Sequence, residues 1–226
     1  MKTMTSIIKE DGSPVQVTIQ EGNNRKNYQV SLNDYIASIS FDTDEVQCFY
    51  PPVGKIPKEC IDFSYARNCS KFSCRALFKL PADRQLIVYC GQAFLVALPA
   101  LVFDFTVIDE VLIPKRSFVY SEKDGVLYHY PLTNVYEDGR ICWGNLKIPA
   151  CMSVSDMKRA VDFFMQAPGN SDLSMSTNIL SLLGFGSMGE FIKYLTKVKH
   201  YPDKGLIPIG KNLSELLKSW NYSDGG

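Results

Sequence analysis

The 226-residue sequence has no surplus of charge: Lys and Arg together number 24, and so do Asp and Glu. With its cations scattered, such a chain offers no electrostatic case for nucleic acid or an anionic membrane as main partner. The one short basic run, Lys193, Lys197 and Lys199, reads as the solvated face of a helix. Long hydrophobic runs are also missing. The most apolar stretch, residues 93–102, carries Pro99 and is followed by Asp104; at about ten residues it falls well short of the roughly 20 that span a bilayer. The opening residues, Met-Lys-Thr-Met-Thr-Ser-Ile-Ile, have no apolar core of a secretory signal. The expectation is a soluble, cytoplasmic protein that engages neither membrane nor nucleic acid.

Cys-x-x-Cys pairs are absent, although seven cysteines are present. The count is odd and lacks the regular spacing of a secreted disulfide framework. Cys60, Cys69 and Cys74 are separated by eight and four residues with no histidine nearby, which does not suit a structural zinc site with its short paired spacings. Reduced, packed thiols are expected, with no metal. Internal repeats and low-complexity tracts are missing as well.

What is present is 46% apolar residues, enough for a substantial core. Val15, Val17 and Ile19 alternate, as do Tyr28 and Val30 across a polar connector, which predicts a hairpin. Ser31-Leu-Asn-Asp34 predicts a capped helix start, with Leu32, Tyr35, Ile36 and Ile39 on one face. Residues 49–61, rich in Pro, Gly and Lys, read as an exposed connection. The middle of the chain is rich in strands. Leu86 to Cys90 and Phe94 to Leu98 flank Gly91-Gln92, Leu101 to Ile108 and Val111 to Ile113 flank Asp109-Glu110, and Ser117 to Tyr120 and Val126 to Tyr128 flank a turn ending at Gly125. Short strands with short turns imply an antiparallel meander.

After Cys142 the apolar period changes from two to 3.6. Ser153 with Asp156 predicts a capped helix presenting Met157, Ala160, Val161, Phe164 and Met165, stopped by Pro168-Gly169. Ser187 with Glu190 predicts a second, presenting Phe191, Ile192, Leu195 and Val198. A third, from about residue 212 to 220, presents Leu213, Leu216, Leu217 and Trp220. Strands first and helices afterwards indicate an α+β fold. The expected organisation is an N-terminal β-rich extension over residues 1–75 and a main domain over 76–226.

The chemistry concentrates in His129-Tyr-Pro-Leu-Thr-Asn134-Val-Tyr-Glu-Asp-Gly139-Arg-Ile-Cys142. A thioester carrier needs an accessible thiol, because the thiolate is the nucleophile. It also needs a donor that stabilises the oxyanion formed when an amine or another thiol attacks the carbonyl, and a side-chain amide supplies one without a competing charge. An Asn on an extended segment, followed by an Asp-Gly turn back to a Cys, brings these groups together. Each residue also has a plainer reading. Cys142 could be one more buried thiol, Asn134 a turn-capping residue bonded to nearby backbone, and His129 a structural histidine. Trp143 and Tyr136 read as wall and core residues. A hydrolase built on Cys142, His129 and Asn134 ranks last, since such triads usually assemble from residues distant in sequence.

The string Asn134-Val-Tyr-Glu-Asp-Gly139-Arg-Ile-Cys142 resembles the active-site segment of ubiquitin-conjugating enzymes, in which a His-Pro-Asn tripeptide leads through a Gly turn to an Ile/Val-Cys pair at the same Asn-to-Cys spacing. With Pro99-Ala-Leu-Val-Phe103 upstream and Cys142-Trp-Gly144 after the turn, the chain is most similar to prokaryotic ubiquitin-conjugating-like family D, the PRTRC system protein B group. The resemblance rests on about residues 86–170. It implies a UBC-like antiparallel meander with helices packed on it, beside a divergent N-terminal portion. It also implies Cys142 as the thioester-forming nucleophile and Asn134 as the oxyanion or positioning residue. The partners it implies are a ubiquitin-like modifier, an adenylating enzyme that activates it, and a JAB-type deconjugating protease of the same system; it implies no cofactor, since the activating enzyme spends the ATP. The chain departs from the family where Leu132 and Thr133 replace His-Pro; His129 and Pro131 occur slightly upstream, and His129 is a candidate substitute or base. Asp172, in a Pro-Gly-Asn-Ser-Asp-Leu loop after the first predicted helix, is a candidate for orienting an incoming amine. The departure before Asn134 leaves open a second function, an inactive conjugating-enzyme fold that binds a modifier or scaffolds its complex.

Overall fold

The computed structural model describes residues 2–7, 14–22, 24–31, 55–66, 71–170 and 176–218. The chain divides into two compact units, Met1–Gln47 and Cys48–Gly226. In the first, strands β1 (Lys2–Ile7), β2 (Val15–Glu21) and β3 (Asn24–Val30) form an antiparallel sheet with β2 central. The expected hairpin forms, with Val15 facing Val30 and Glu21 facing Asn24. The helix expected from Ser31 lies outside the described residues.

The second unit is built on a six-stranded antiparallel sheet in the order β12-β10-β9-β8-β5-β4. Its strands are β4 (Cys60–Tyr65), β5 (Cys74–Leu80), β8 (Ala100–Ile108), β9 (Val111–Lys123), β10 (Val126–Tyr128) and β12 (Pro208–Asn212). Strand β4 lies upstream of the boundary expected at residue 75 and pairs with β5, which straddles it. A smaller sheet holds the hairpin β6 (Asp83–Tyr89) and β7 (Gln92–Leu98), with the two-residue β11 (Pro168–Gly169) parallel to β6.

The predicted hairpins all form, but they do not make one continuous meander. Strands β6 and β7 leave the main sheet, and β5 pairs directly with β8 from Cys74–Val107 to Leu80–Leu101. Pro99, between β7 and β8, has no N–H to donate and interrupts the ladder where the chain changes sheets. Strand β8 is buried along nearly its whole length, whereas Leu86 and Leu95, directly opposite each other on β6 and β7, are exposed. The segments expected as separate strands at Val111 and Ser117 are one strand. Its register shifts opposite Phe105–Val107 to take in Pro114, and the Ser117 hydroxyl donates to the Ile113 carbonyl across the irregularity (2.8 Å).

Helix α1 (Val154–Met165) buries Val154, Met157, Ala160, Val161, Phe164 and Met165 against β5 and β6. It starts as the sequence predicts: Ser153 Oγ accepts from the Asp156 N–H (3.2 Å) and donates to Asp156 Oδ2 (2.8 Å). Helices α2 (Ser176–Leu183) and α3 (Met188–Leu195) follow, the latter capped by Ser187 and Glu190 as expected. Pro168-Gly169, expected only to stop α1, instead forms β11. Helix α4 (Leu213–Lys218) lays Leu213, Leu216 and Leu217 on Leu77, Val102, Tyr120 and Leu127. Those residues alternate with core residues along their strands, so α4 and α1 cover opposite faces of the main sheet. The product is a sheet-dominated α+β fold.

Candidate active site

Strand β10 is only three residues long, and this builds the site. It pairs with Ser121–Lys123 of β9 and leaves the edge of β9 at Ser117–Val119 free. The segment Gly139–Ile141 takes that edge: Ile141 N–H donates to Ser117 O (2.8 Å) and Val119 N–H to Gly139 O (2.9 Å), with a bridge between Phe118 and Arg140. A second bridge, Val135 to Ile141, folds the upstream arm against the same segment, and the Cys142 N–H donates to the Asn134 carbonyl (2.8 Å). The pairing of Asn134 with Cys142 is thus a main-chain contact.

Gly139 closes the turn with φ +87°, and a Cβ there would lie 2.3 Å from Tyr120 Cε1. Both the left-handed backbone and the close approach to the ring demand glycine. Alternation about this small hairpin sorts the side chains. Val135, Ile141 and Trp143 point inward, each at most 5% exposed. Trp143 packs on Phe105, Phe163 and Phe164, the core role the sequence gives it. Asn134, Tyr136, Arg140 and Cys142 are the intervening residues, each partly or fully exposed.

Asn134 adopts φ +66°, which Asn tolerates better than most residues. Its Nδ2 donates to the Pro168 carbonyl of β11 (3.1 Å). Strand β11 is fixed on its other side by β6 and by the Cys90 N–H, which donates to Gly169 O (2.9 Å). A Cβ at Gly169 would stand 2.4 Å from Thr133 Oγ1, so glycine lets β11 lie against the Thr133–Asn134 corner. A cavity of about 20 Å³ remains there, lined by Tyr89, Thr133, Asn134, Phe164 and Gly169 among others.

Sequence reasoning missed a hydroxyl within hydrogen-bond reach of the thiol. The Tyr136 hydroxyl lies 3.5 Å from Cys142 Sγ, and the residue is 40% exposed rather than part of the core. Arg140 sits over its ring with the guanidinium carbon 5.2 Å from the centroid. Asp138 in turn holds Arg140, accepting from its Nε (2.6 Å) and its backbone N–H (3.0 Å). The hydrogen bond to Cys142 and the charge on its thiolate raise the Tyr136 phenol above its ordinary pKa. The signal was present in the sequence, because Asn134 and Tyr136 are two apart on one arm and Arg140 and Cys142 two apart on the other.

His129 is not joined to this group. Its N–H donates to Ile207 O (2.9 Å) and its carbonyl accepts from Ser121 Oγ (3.1 Å), which ties it to the β10–β12 side of the sheet. No contact links it to Cys142 or Asn134 among the described residues. Asp172 lies outside the described residues. Elsewhere, burial pushes the thiols of Cys60, Cys74 and Cys151 up to about 11, 12 and 12. Cys69, the third member of the cysteine cluster, lies outside the described residues. Among the described residues no group of three or more His, Cys, Asp or Glu could hold a metal ion, and no helix is long and apolar enough to cross a membrane.

No curated protein and no solved structure matches the chain. A family model does match, that of prokaryotic E2 family D, over residues 70–209. The matched segment runs from just before β5 into β12 and contains the whole hairpin around Cys142. This chain belongs to prokaryotic E2 family D.

Proposed function

We propose that the protein is a ubiquitin-conjugating-like acyltransferase that carries a ubiquitin-like modifier as a thioester on Cys142. The modifier's C-terminal carboxyl, activated by an adenylating enzyme, passes to Sγ and then to an acceptor amine. The observation that carries the reading is the partly exposed Cys142 thiol on a hairpin whose turn admits only glycine, with Asn134 paired to it. Such a hairpin holds the thiol at the surface in a fixed place, and that is what a macromolecular acyl donor and acceptor must both reach. Asn134 fixes the thiol's backbone through its carbonyl. One amide hydrogen of its side chain goes to Pro168, and the other is free to meet an oxyanion.

The test is to incubate the protein with an adenylating enzyme, its modifier and ATP. A covalent adduct that dissolves in reductant and disappears in Cys142→Ala is expected. An adduct that persists in Cys142→Ala would overturn the proposal. Stable non-covalent binding of the modifier with no adduct in the native protein would select a binding module instead.

A further inference from the structure

We infer that Tyr136 is a catalytic residue of this site, its hydroxyl donating a hydrogen bond to the oxyanion formed when an amine attacks the Cys142 thioester. The inference rests on the thioester reading given above.

Geometry supplies the argument. The Tyr136 oxygen is 3.5 Å from Sγ, and the carbonyl oxygen of a thioester on that sulfur is two bonds away from it. A phenol O–H turns about its C–O bond over a low barrier, so a donor that reaches sulfur in the free thiol can turn to the acyl oxygen once sulfur is acylated. The ring carrying the hydroxyl is restrained. Arg140 covers it and Asp138 fixes Arg140 through two hydrogen bonds, so the donor is positioned before reaction. The Asn134 side chain, by contrast, has one of its two hydrogens engaged by the Pro168 carbonyl.

The step balances without an added co-reactant. The amine nitrogen attacks the thioester carbon, and the C=O π pair moves onto oxygen, where the Tyr136 O–H meets it. Collapse of the tetrahedral intermediate restores C=O and breaks the C–S bond. Sulfur departs as thiolate, and the proton lost by the amine ends on it by way of solvent. Tyr136 keeps its own proton throughout, as a phenol, with an ordinary pKa of about 10, does near neutral pH.

A peptide ending in Gly-Gly, presented as the thioester of 2-mercaptoethanesulfonate, acylates Cys142 by thiol exchange without any partner protein. Mass spectrometry of the Cys142 peptide then follows aminolysis of the acyl group by free lysine. The expected result is roughly a 10²-fold slower aminolysis in both Tyr136→Phe and Tyr136→Ala, with unchanged thermal melting. Native-like aminolysis in Tyr136→Phe with loss only in Tyr136→Ala would reduce the residue to a packing role and overturn the inference, leaving the thioester reading intact. If Cys142 of the native protein takes no acyl group while other cysteines do, the thioester reading fails, and this inference with it.

Discussion

Cys142 and Cys151 belong to one continuous stretch between the hairpin and helix α1, yet they meet opposite surroundings. Cys142 is partly exposed, beside a tyrosine hydroxyl, on a backbone held at Asn134 and stiffened by the glycine turn. Cys151 is 1% exposed, with its sulfur 3.7 Å from the Pro149 carbonyl and its pKa pushed up to about 12, chiefly by burial and also by the Asp156 carboxylate. Nothing in the amino acid itself separates the two. One thiol follows the buried Ile141 and precedes the buried Trp143, and alternation sends it outward. The other precedes the cap of α1 and is drawn into the core. Which way the backbone turns each sulfur decides whether solvent reaches it.

The sharpest break of the comparison is chemical. Cys151 is buried and, at about 12, only ~10⁻⁴ ionised at pH 8, so iodoacetamide should label the partly exposed Cys142 at least ~10-fold faster than Cys151 in the native protein, read by peptide mass spectrometry. Equal labelling would mean that the two environments are not as different as they look. Next in size is Gly139→Ala. It forces a side chain into the left-handed region and against the Tyr120 ring, with an expected cost of about 3 kcal/mol from strain and overpacking together. Urea unfolding measures it, and a loss below ~0.5 kcal/mol would contradict the stated constraint.

These two residues also show what the sequence makes legible. The Asp-Gly turn and the Asn-to-Cys spacing announce the hairpin locally, so the pairing of Asn134 with Cys142 can be read from residue order. Tyr136 follows from the same alternation once the hairpin is accepted. Other features depend on distant partners. The Pro168 carbonyl that receives the Asn134 amide belongs to a two-residue parallel pairing with β6, and two residues carry no period to read. The departure of β6 and β7 from the main sheet hangs on which strand β5 prefers, and all the candidates share period two. His129 is close to Cys142 in sequence, but its backbone bonds to Ile207 and Ser121, and the buried corner from Tyr130 to Thr133 intervenes.

A gentler test uses pH. Cys74 and Cys151, at most 1% exposed, have folded pKa values of about 12 against an ordinary 9.0, so the folded state holds their protons more tightly than the unfolded chain does. The sign is therefore destabilising with rising pH. Their contribution is fully present below about pH 9 and is lost as pH climbs toward 12, at ~1.4 kcal/mol per pH unit for each thiol. Cys151→Ala should make the fall between pH 9 and 10 visibly shallower in urea unfolding, and an unchanged slope would contradict the burial of that thiol. The smallest effect is expected at Arg140→Ala. Its exposed ion pair with Asp138 contributes only ~0.5 kcal/mol, so stability should barely change, and a loss above ~2 kcal/mol would mean that Arg140 holds the hairpin itself and not only the Tyr136 ring.

The central claim, that the outward-facing thiol of this hairpin is the acyl carrier, is tested most directly by mapping the adduct. The native protein is loaded with modifier by an adenylating enzyme and ATP, then digested under acidic, non-reducing conditions and sequenced by mass spectrometry. The account predicts the modifier's C-terminal remnant on the peptide containing Cys142 and its loss on treatment with reductant. A remnant on Cys90 or on a lysine, with the Cys142 peptide unmodified, would contradict it.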